Sequence, residues 1–184
     1  MNKNVLKGKR KPKWLSRKLP RGLKYQNVNH TVAENNLNTV CREANCPNQF
    51  ECFSKGSATF MILGSQCTRT CRFCNIKSAE NLPLDLEEPG RVAQAVKQMG
   101  LKYVVITSVT RDDLADGGAS IFAETVRLIR ENDRNVKIEL LIPDLLGHEK
   151  SLQTVVDSGP EVLNHNMETI RRYYGIVRPE ADYD

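Results

Sequence analysis

All six cysteines of this 184-residue chain lie between Cys41 and Cys74, and the 110 residues that follow hold none. They form two triplets, Cys41, Cys46, Cys52 (C-x4-C-x5-C) and Cys67, Cys71, Cys74 (C-x3-C-x2-C), with 14 residues between them. Nothing else in the sequence restricts the fold as much, because thiols this dense are normally bridged or share a metal. Disulfides would allow 15 connectivities, but no secretory signal is present and a reducing compartment disfavours them. A structural zinc wants four ligands, commonly in two pairs. Each group here stops at three, and His30, His148 and His165 are distant in sequence, so a zinc site would have to draw four of the six cysteines together. Iron–sulfur clusters fit the count best. A cubane takes one ligand per iron, so three thiolates leave one iron free for another ligand. Two triplets then imply two 4Fe-4S clusters, each with a differentiated iron.

The surroundings of the second triplet support this reading. Ala58 to Leu63 is a short, mostly apolar run ended by Gly64, the pattern of a buried strand. The cysteines follow at its C-terminal end. Arg69 and Arg72 would partly offset a negative cluster or else be ordinary surface charge, and Phe73, between two ligands, would pack on the cluster or on a ligand's flat ring.

Charge is as uneven as the cysteines. Residues 1–24 hold ten Lys/Arg and no acid, while the rest hold 17 bases and 22 acids, so a net charge of +5 hides an arm of +10 on a body of −5. A basic arm can meet phosphate or anionic lipid, or be a solvated segment. Trp14, Leu15 and Leu19 point to partial packing on the body, and the arm lacks the apolar stretch of a signal peptide. With 6% aromatics and an acidic body, a nucleic-acid module is disfavoured, and no stretch approaches the roughly 18 apolar residues of a membrane span.

After Cys74 the pattern alternates. Helices are predicted over Pro89–Gly100, Ile121–Arg130, Glu149–Val156 and from Met167 to Tyr174; strands over Tyr103–Thr107, Val136–Ile142 and Val162–Leu163. Strand followed by helix, four times over, marks a parallel sheet with right-handed crossovers, in a barrel or a doubly wound sheet. The loops leaving the strands are polar or flexible, as in Ser108–Gly118, Pro143–Gly147 and Asn164–Asn166, and the returning loops are terse. That asymmetry places a site at the strands' C-terminal ends. Gly117-Gly118 before a helix would let backbone approach a small polar ligand, or serve a turn that needs positive φ. Arg111, Asp112 and Asp113 either orient a substrate or hold local structure. His165 reads as structural more readily than catalytic, and Tyr173, Tyr174 and Tyr183 as packing residues.

A C-x3-C-x-aromatic-C motif after a first strand resembles the signature of the radical S-adenosylmethionine (SAM) superfamily. Together with the preceding C-x4-C-x5-C triplet it resembles the lipoyl synthase family. The segments that carry the likeness, in order, are KPKWL, NTVCREANCPNQFEC, ATFMILG, CRFC, KYVVITSVTRDDLADGG, LIPD, NHNMET and VRPEADY. Departures are Arg42 for an acidic residue, Phe53 for Trp, and Ser78-Ala79-Glu80 for a Gly-x-Pro; none removes a cysteine. The family's Arg-Ser-Ser-Tyr motif, whose serine is a cluster ligand, has no counterpart up to Asp184, and Ser57, Ser65, Ser108 and Ser120 stand in other contexts.

The resemblance implies an α/β fold, a partial (β/α) barrel of radical SAM type with about four of six strand–helix units, and hence a fragment of a sulfurtransferase that is itself expected to be inactive. The expected organisation is a basic extension over 1–40, an auxiliary-cluster segment over 41–57, and the incomplete barrel over 58–184. It implies that Cys67, Cys71 and Cys74 hold the SAM-binding 4Fe-4S cluster and Cys41, Cys46 and Cys52 an auxiliary one. Gly117 and Gly118 would meet the methionine moiety of SAM and Phe73 its adenine. The implied activity is radical insertion of sulfur at C6 and C8 of an octanoyl-lysine, with no protein acid or base, in the cytoplasm. Implied partners are octanoylated lipoyl carrier domains, as in 2-oxoacid dehydrogenase acyltransferase subunits and the glycine cleavage H protein, and a ferredoxin- or flavodoxin-like donor. No nucleic acid or membrane partner is expected. Another radical SAM enzyme with an auxiliary cluster, such as a maturase, and a zinc-stabilised binding module are the competing classes.

Overall fold

The computed structural model describes residues 22–80 and 83–184. Most of the basic arm, with Trp14, Leu15 and Leu19, lies outside the described residues. Helix α1 (Leu23–Glu34) leads into a two-residue strand β1 (Asn38–Thr39), then the short helices α2 (Val40–Glu43) and α3 (Gln49–Lys55). Next come β2 (Thr59–Ile62), a small pair β3 (Gln66–Cys67) and β4 (Lys77–Ser78), and α4 (Glu88–Gln98). The rest alternates: β5 (Tyr103–Ser108), α5 (Ala119–Asn132), β6 (Lys137–Ile142), α6 (Glu149–Asp157), β7 (Val162–His165) and a one-turn α7 (Tyr174–Val177).

The main sheet runs β1-β2-β5-β6-β7, with β1 antiparallel to β2 and every other pair parallel. It is open, with helices in the crossovers, so the partial β/α architecture is what forms. Residues 22–40, expected within the extension, contribute α1 and the β1 edge of this sheet.

Alternation explains the core. On β5 and β6, Val104, Ile106, Ile138 and Leu140 are fully buried, together with Val92 and Val96 of α4 and Phe122, Val126 and Ile129 of α5. Burying each such side chain contributes roughly 1.5–3 kcal/mol. The intervening residues face the less covered side, where Asn164 donates to Glu139 at 2.6 Å and the Tyr103 hydroxyl also bonds Glu139. That side carries a polar ladder across three strands.

One predicted element is different. Met167–Ile170 is not helical: Glu168 has φ 62°, Ile170 is extended, and only a 3-10 turn over Arg171–Tyr173 and then α7 follow. The Asn166 carbonyl accepts from the Arg178 side chain at 2.9 Å, which folds the segment back rather than winding it into a helix. Tyr174 is buried and meets Tyr183 edge-on at 5.2 Å, as packing residues should, but Tyr173 is 45% exposed.

Candidate metal centre

β2 ends in a sharp turn, with Leu63 at φ 68° and Gly64 at φ 92°. Leu63 is a branched residue in the left-handed region, and a buried carboxylate holds it there: Glu88, at the start of α4, accepts the Leu63 N–H at 2.6 Å. Burial pushes the Glu88 carboxyl above its ordinary value, against the pull of the Leu63 and Gly64 N–H groups. The chain then enters the second cysteine triplet. β3 and β4 close the base of this loop through parallel pairing and an Ala79 N–H bond to the Cys67 carbonyl at 2.9 Å.

Arg69, between the first two cysteines of that loop, is only 2% exposed. Its guanidinium forks onto Asp112, in the loop after β5, at 2.7 and 2.9 Å, and onto Asp144, in the loop after β6, at 2.5 and 2.7 Å. Burial works against the charge, but the bonds to Asp144 and Asp112 outweigh it and keep the guanidinium protonated. The same contact holds Asp144 below the usual carboxylate range despite its burial. Arg69 is therefore a latch between three strand-end loops, and its charge is already balanced. The expected offset of a negative cluster is not its role. Arg111, 1% exposed, is likewise spent: it forks onto Asp113 at 2.8 Å and donates to the Leu63 carbonyl. These polar residues hold structure.

Cys67, Cys71 and Cys74 line one cleft, together with Phe73, the ends of β5 and β6, His165 and Arg178. Phe73 is 52% exposed there, an open ring face beside the thiols. His165 is fixed by its Nδ1 contact with the Ile142 carbonyl at 2.9 Å. Gly117 and Gly118 line no part of this cleft. The Gly118 N–H donates to Asp116 at 2.9 Å and the Gly117 N–H to the Leu114 carbonyl at 3.0 Å, and both residues are buried against Leu145 and Leu63. Close packing at positive φ accounts for both glycines.

The first triplet sits elsewhere in the same body. Cys41 lies on α2, Cys46 in the turn after it and Cys52 on α3. Thr39 caps α2 by accepting the Arg42 N–H, and the Arg42 side chain donates to Asn29 on α1 at 2.6 Å. Phe53 is fully buried against Tyr25, 5.9 Å between centroids. Burial raises the Cys41 thiol above its ordinary value, Cys52 and Cys46 add to this as mutually close thiols, and a Thr59 backbone bond opposes it.

These donors suit iron–sulfur clusters. All six cysteines are free thiols. Among the described residues no group of three or more Cys, His, Asp or Glu side chains is drawn together around a single metal ion. A cubane takes its thiolates at separate corners, one per iron. Among the described residues two buried polar side-chain atoms have no hydrogen-bond partner, Ser108 Oγ and Arg178 Nε, and both residues line the cysteine cleft. Buried polar groups are nearly always satisfied, so this is a place shaped for a polar guest.

Residues 61–184 match the family model described as the radical SAM superfamily. The chain belongs to that superfamily. Membership in the radical SAM superfamily implies a 4Fe-4S cluster and SAM. Residues 1–46 match the N-terminal domain of lipoyl synthase, of the same family. The chain is 56% identical over 175 residues to the lipoyl synthase of Alkaliphilus metalliredigens, covering 95% of this chain and 60% of that protein. It is 54% identical over 173 residues to that of Desulfotalea psychrophila, covering 94% and 58%. It is 53% identical over 176 residues to that of Shouchella clausii, covering 95% and 57%. The chain thus spans about 60% of the length of the curated relatives it matches. Lipoyl synthase likeness implies a second 4Fe-4S cluster, which the first triplet is suited to hold. Glu88 was not foreseeable as a site residue, because an acid at a helix start carries no motif of its own; Arg178 lies in the VRPEADY segment, but nothing in that segment assigns it a role.

Proposed function

We propose that this radical SAM chain takes part in lipoyl synthesis, inserting two sulfurs at C6 and C8 of an octanoyl chain amide-linked to a lysine of a carrier domain. The observation that carries the proposal is the pair of separate thiol triplets, one at the mouth of a parallel sheet and one on the helices beside it. Cys67, Cys71 and Cys74 would hold the SAM-binding cluster, and Cys41, Cys46 and Cys52 the auxiliary one. When bound, these groups supply a carbon radical able to break unactivated C–H bonds, and sulfur. The chain's own residues bind and orient. The Arg69 latch fixes the cysteine loop against two neighbouring loops, Glu88 fixes its entry, and the exposed ring of Phe73 would stack on the adenine. No side chain is needed as acid or base.

The proposal extends to octanoylated carrier domains as substrates, a ferredoxin- or flavodoxin-like donor, and a cytoplasmic setting. Among the described residues no helix is long and apolar enough to cross a membrane. The proposed organisation keeps an auxiliary-cluster segment over 41–57 ahead of the radical SAM part over 58–184.

Anaerobic reconstitution with iron and sulfide tests the ligand sets. Roughly eight irons per chain are expected, and about four when either triplet is changed to alanine. Bound zinc in a colourless chain would overturn the proposal. Turnover of an octanoyl-lysine peptide with SAM and dithionite, by a version extended at its C-terminus to the length of the relatives, tests the chemistry: a dithiolated product supports lipoyl synthesis, while 5′-deoxyadenosine alone moves the assignment to a different radical SAM activity.

A further inference from the structure

Arg178 is buried, 7% exposed, yet lies on the cysteine cleft. Its neighbours are stitched to the cysteine loop on both sides. The Arg72 N–H donates to the Val177 carbonyl at 3.0 Å, and the Thr70 hydroxyl bonds the Glu180 carboxylate. These bonds place Arg178 beside Cys71. Its Nη1 donates to the Asn166 carbonyl and to the Tyr174 hydroxyl, both at 2.9 Å, and its guanidinium stands 5.3 Å from the Tyr174 ring centre. These partners are neutral. The nearest carboxylate, Asp144, is 4.0 Å from Nη2 and is already taken by two bonds from Arg69. The Nε–H has no partner.

A buried cation without a close counter-charge is costly, and a buried N–H without an acceptor adds to the cost. Both are relieved by negative charge in the cleft. We infer that Arg178 is the counter-charge of the cluster held by Cys67, Cys71 and Cys74, and that it sets how readily this cluster accepts an electron. One-electron reduction adds a negative charge to the cluster. A fixed guanidinium beside one ligand stabilises the reduced form and raises the potential, as charge and hydrogen bonds around cluster sulfurs do in general. The inference rests on the proposed ligand set.

The test is an electron-paramagnetic-resonance redox titration without SAM, on chains whose Cys41, Cys46 and Cys52 are alanine so that a single cluster is read. Arg178→Gln is expected to lower the midpoint, so that the ratio of reduced to oxidised cluster at a fixed potential falls about tenfold, which is 59 mV for one electron. Arg178→Lys keeps the charge and is expected to keep most of the potential. Tyr174→Phe, which removes a partner but no charge, should leave it unmoved. An unchanged midpoint in an iron-replete R178Q would overturn the inference. Should R178Q take up no iron, R178K decides: loading in R178K supports a counter-charge, and loss in both assigns Arg178 to packing and overturns it. A parent chain that binds no four-iron cluster sinks the ligand assignment instead, so the two failures are told apart.

Discussion

Gly118 has no room for a side chain. It sits at φ 90°, and a Cβ placed there would lie 2.3 Å from Cδ1 of Leu63, the residue that follows β2. Gly117, at φ 62°, meets Leu145 more loosely, at 3.2 Å. Gly118→Ala is therefore expected to destabilise the chain by about 1–3 kcal/mol, through overpacking and an unfavourable dihedral, and by more than Gly117→Ala. Urea denaturation of the two variants checks this; equal losses would mean that Leu63 yields freely. The same pair shows what can be read from a sequence at this scale. That two glycines precede a helix is visible in the chain, but whether the reason is a ligand or a neighbour is not, because Leu63 and Leu145 arrive from other loops. The proposed cysteine ligand sets rest on the opposite kind of feature: short spacings along one segment, which a sequence displays directly. Glu88 reaches back 25 residues to Leu63, and Thr70 forward 110 to Glu180 beside Arg178, so neither partnership leaves a local trace.

Helices and strands followed their periodicities wherever an element buries one clear face. α4, α5, β5 and β6 stand close to their predicted bounds. The segment from Met167 failed because its backbone is shaped by Arg178 and Asn166 rather than by an apolar stripe. Contacts between elements also set an acid limit on stability. Glu161, just before β7, accepts the Ile138 N–H of β6 at 2.7 Å and two bonds from Arg130 of α5 at 3.1 Å. The Ile138 N–H first, then Arg130, hold its carboxyl down to about 2 from an ordinary 4.5. A depressed carboxylate stabilises the fold fully above its unfolded value, and that share is lost as pH falls through the folded value. The parent chain should thus lose stability between about pH 4.5 and 2. Glu161→Gln should be weaker at pH 7 and lack this part of the decline. Denaturation midpoints at pH 7 and pH 3 measure it; parallel declines in both proteins would contradict the assignment.

For the molecule as a whole, the open edge dominates. Among the described residues β7 has a strand partner on one side only, all four of its residues are exposed, and Ile170, Tyr173 and Ile176 after it expose further apolar surface. Unprotected edges of this kind template pairing with another strand. The described body is expected to self-associate with rising concentration, and Leu163→Lys to reduce this, as light scattering would show; a chain that stays monomeric at high concentration would rule it out. The Arg69 latch has a consequence in time. Cys67, Cys71 and Cys74 are made early, but the loop that carries them is locked only when Arg69 meets Asp144, 75 residues further on. At ~5–20 residues per second, the ribosome needs roughly 4–15 s to cover that distance. The thiols are synthesised well before the Asp144 half of their scaffold exists; under the proposed ligand set, that interval would leave three unscaffolded thiols open to oxidation or mis-metallation.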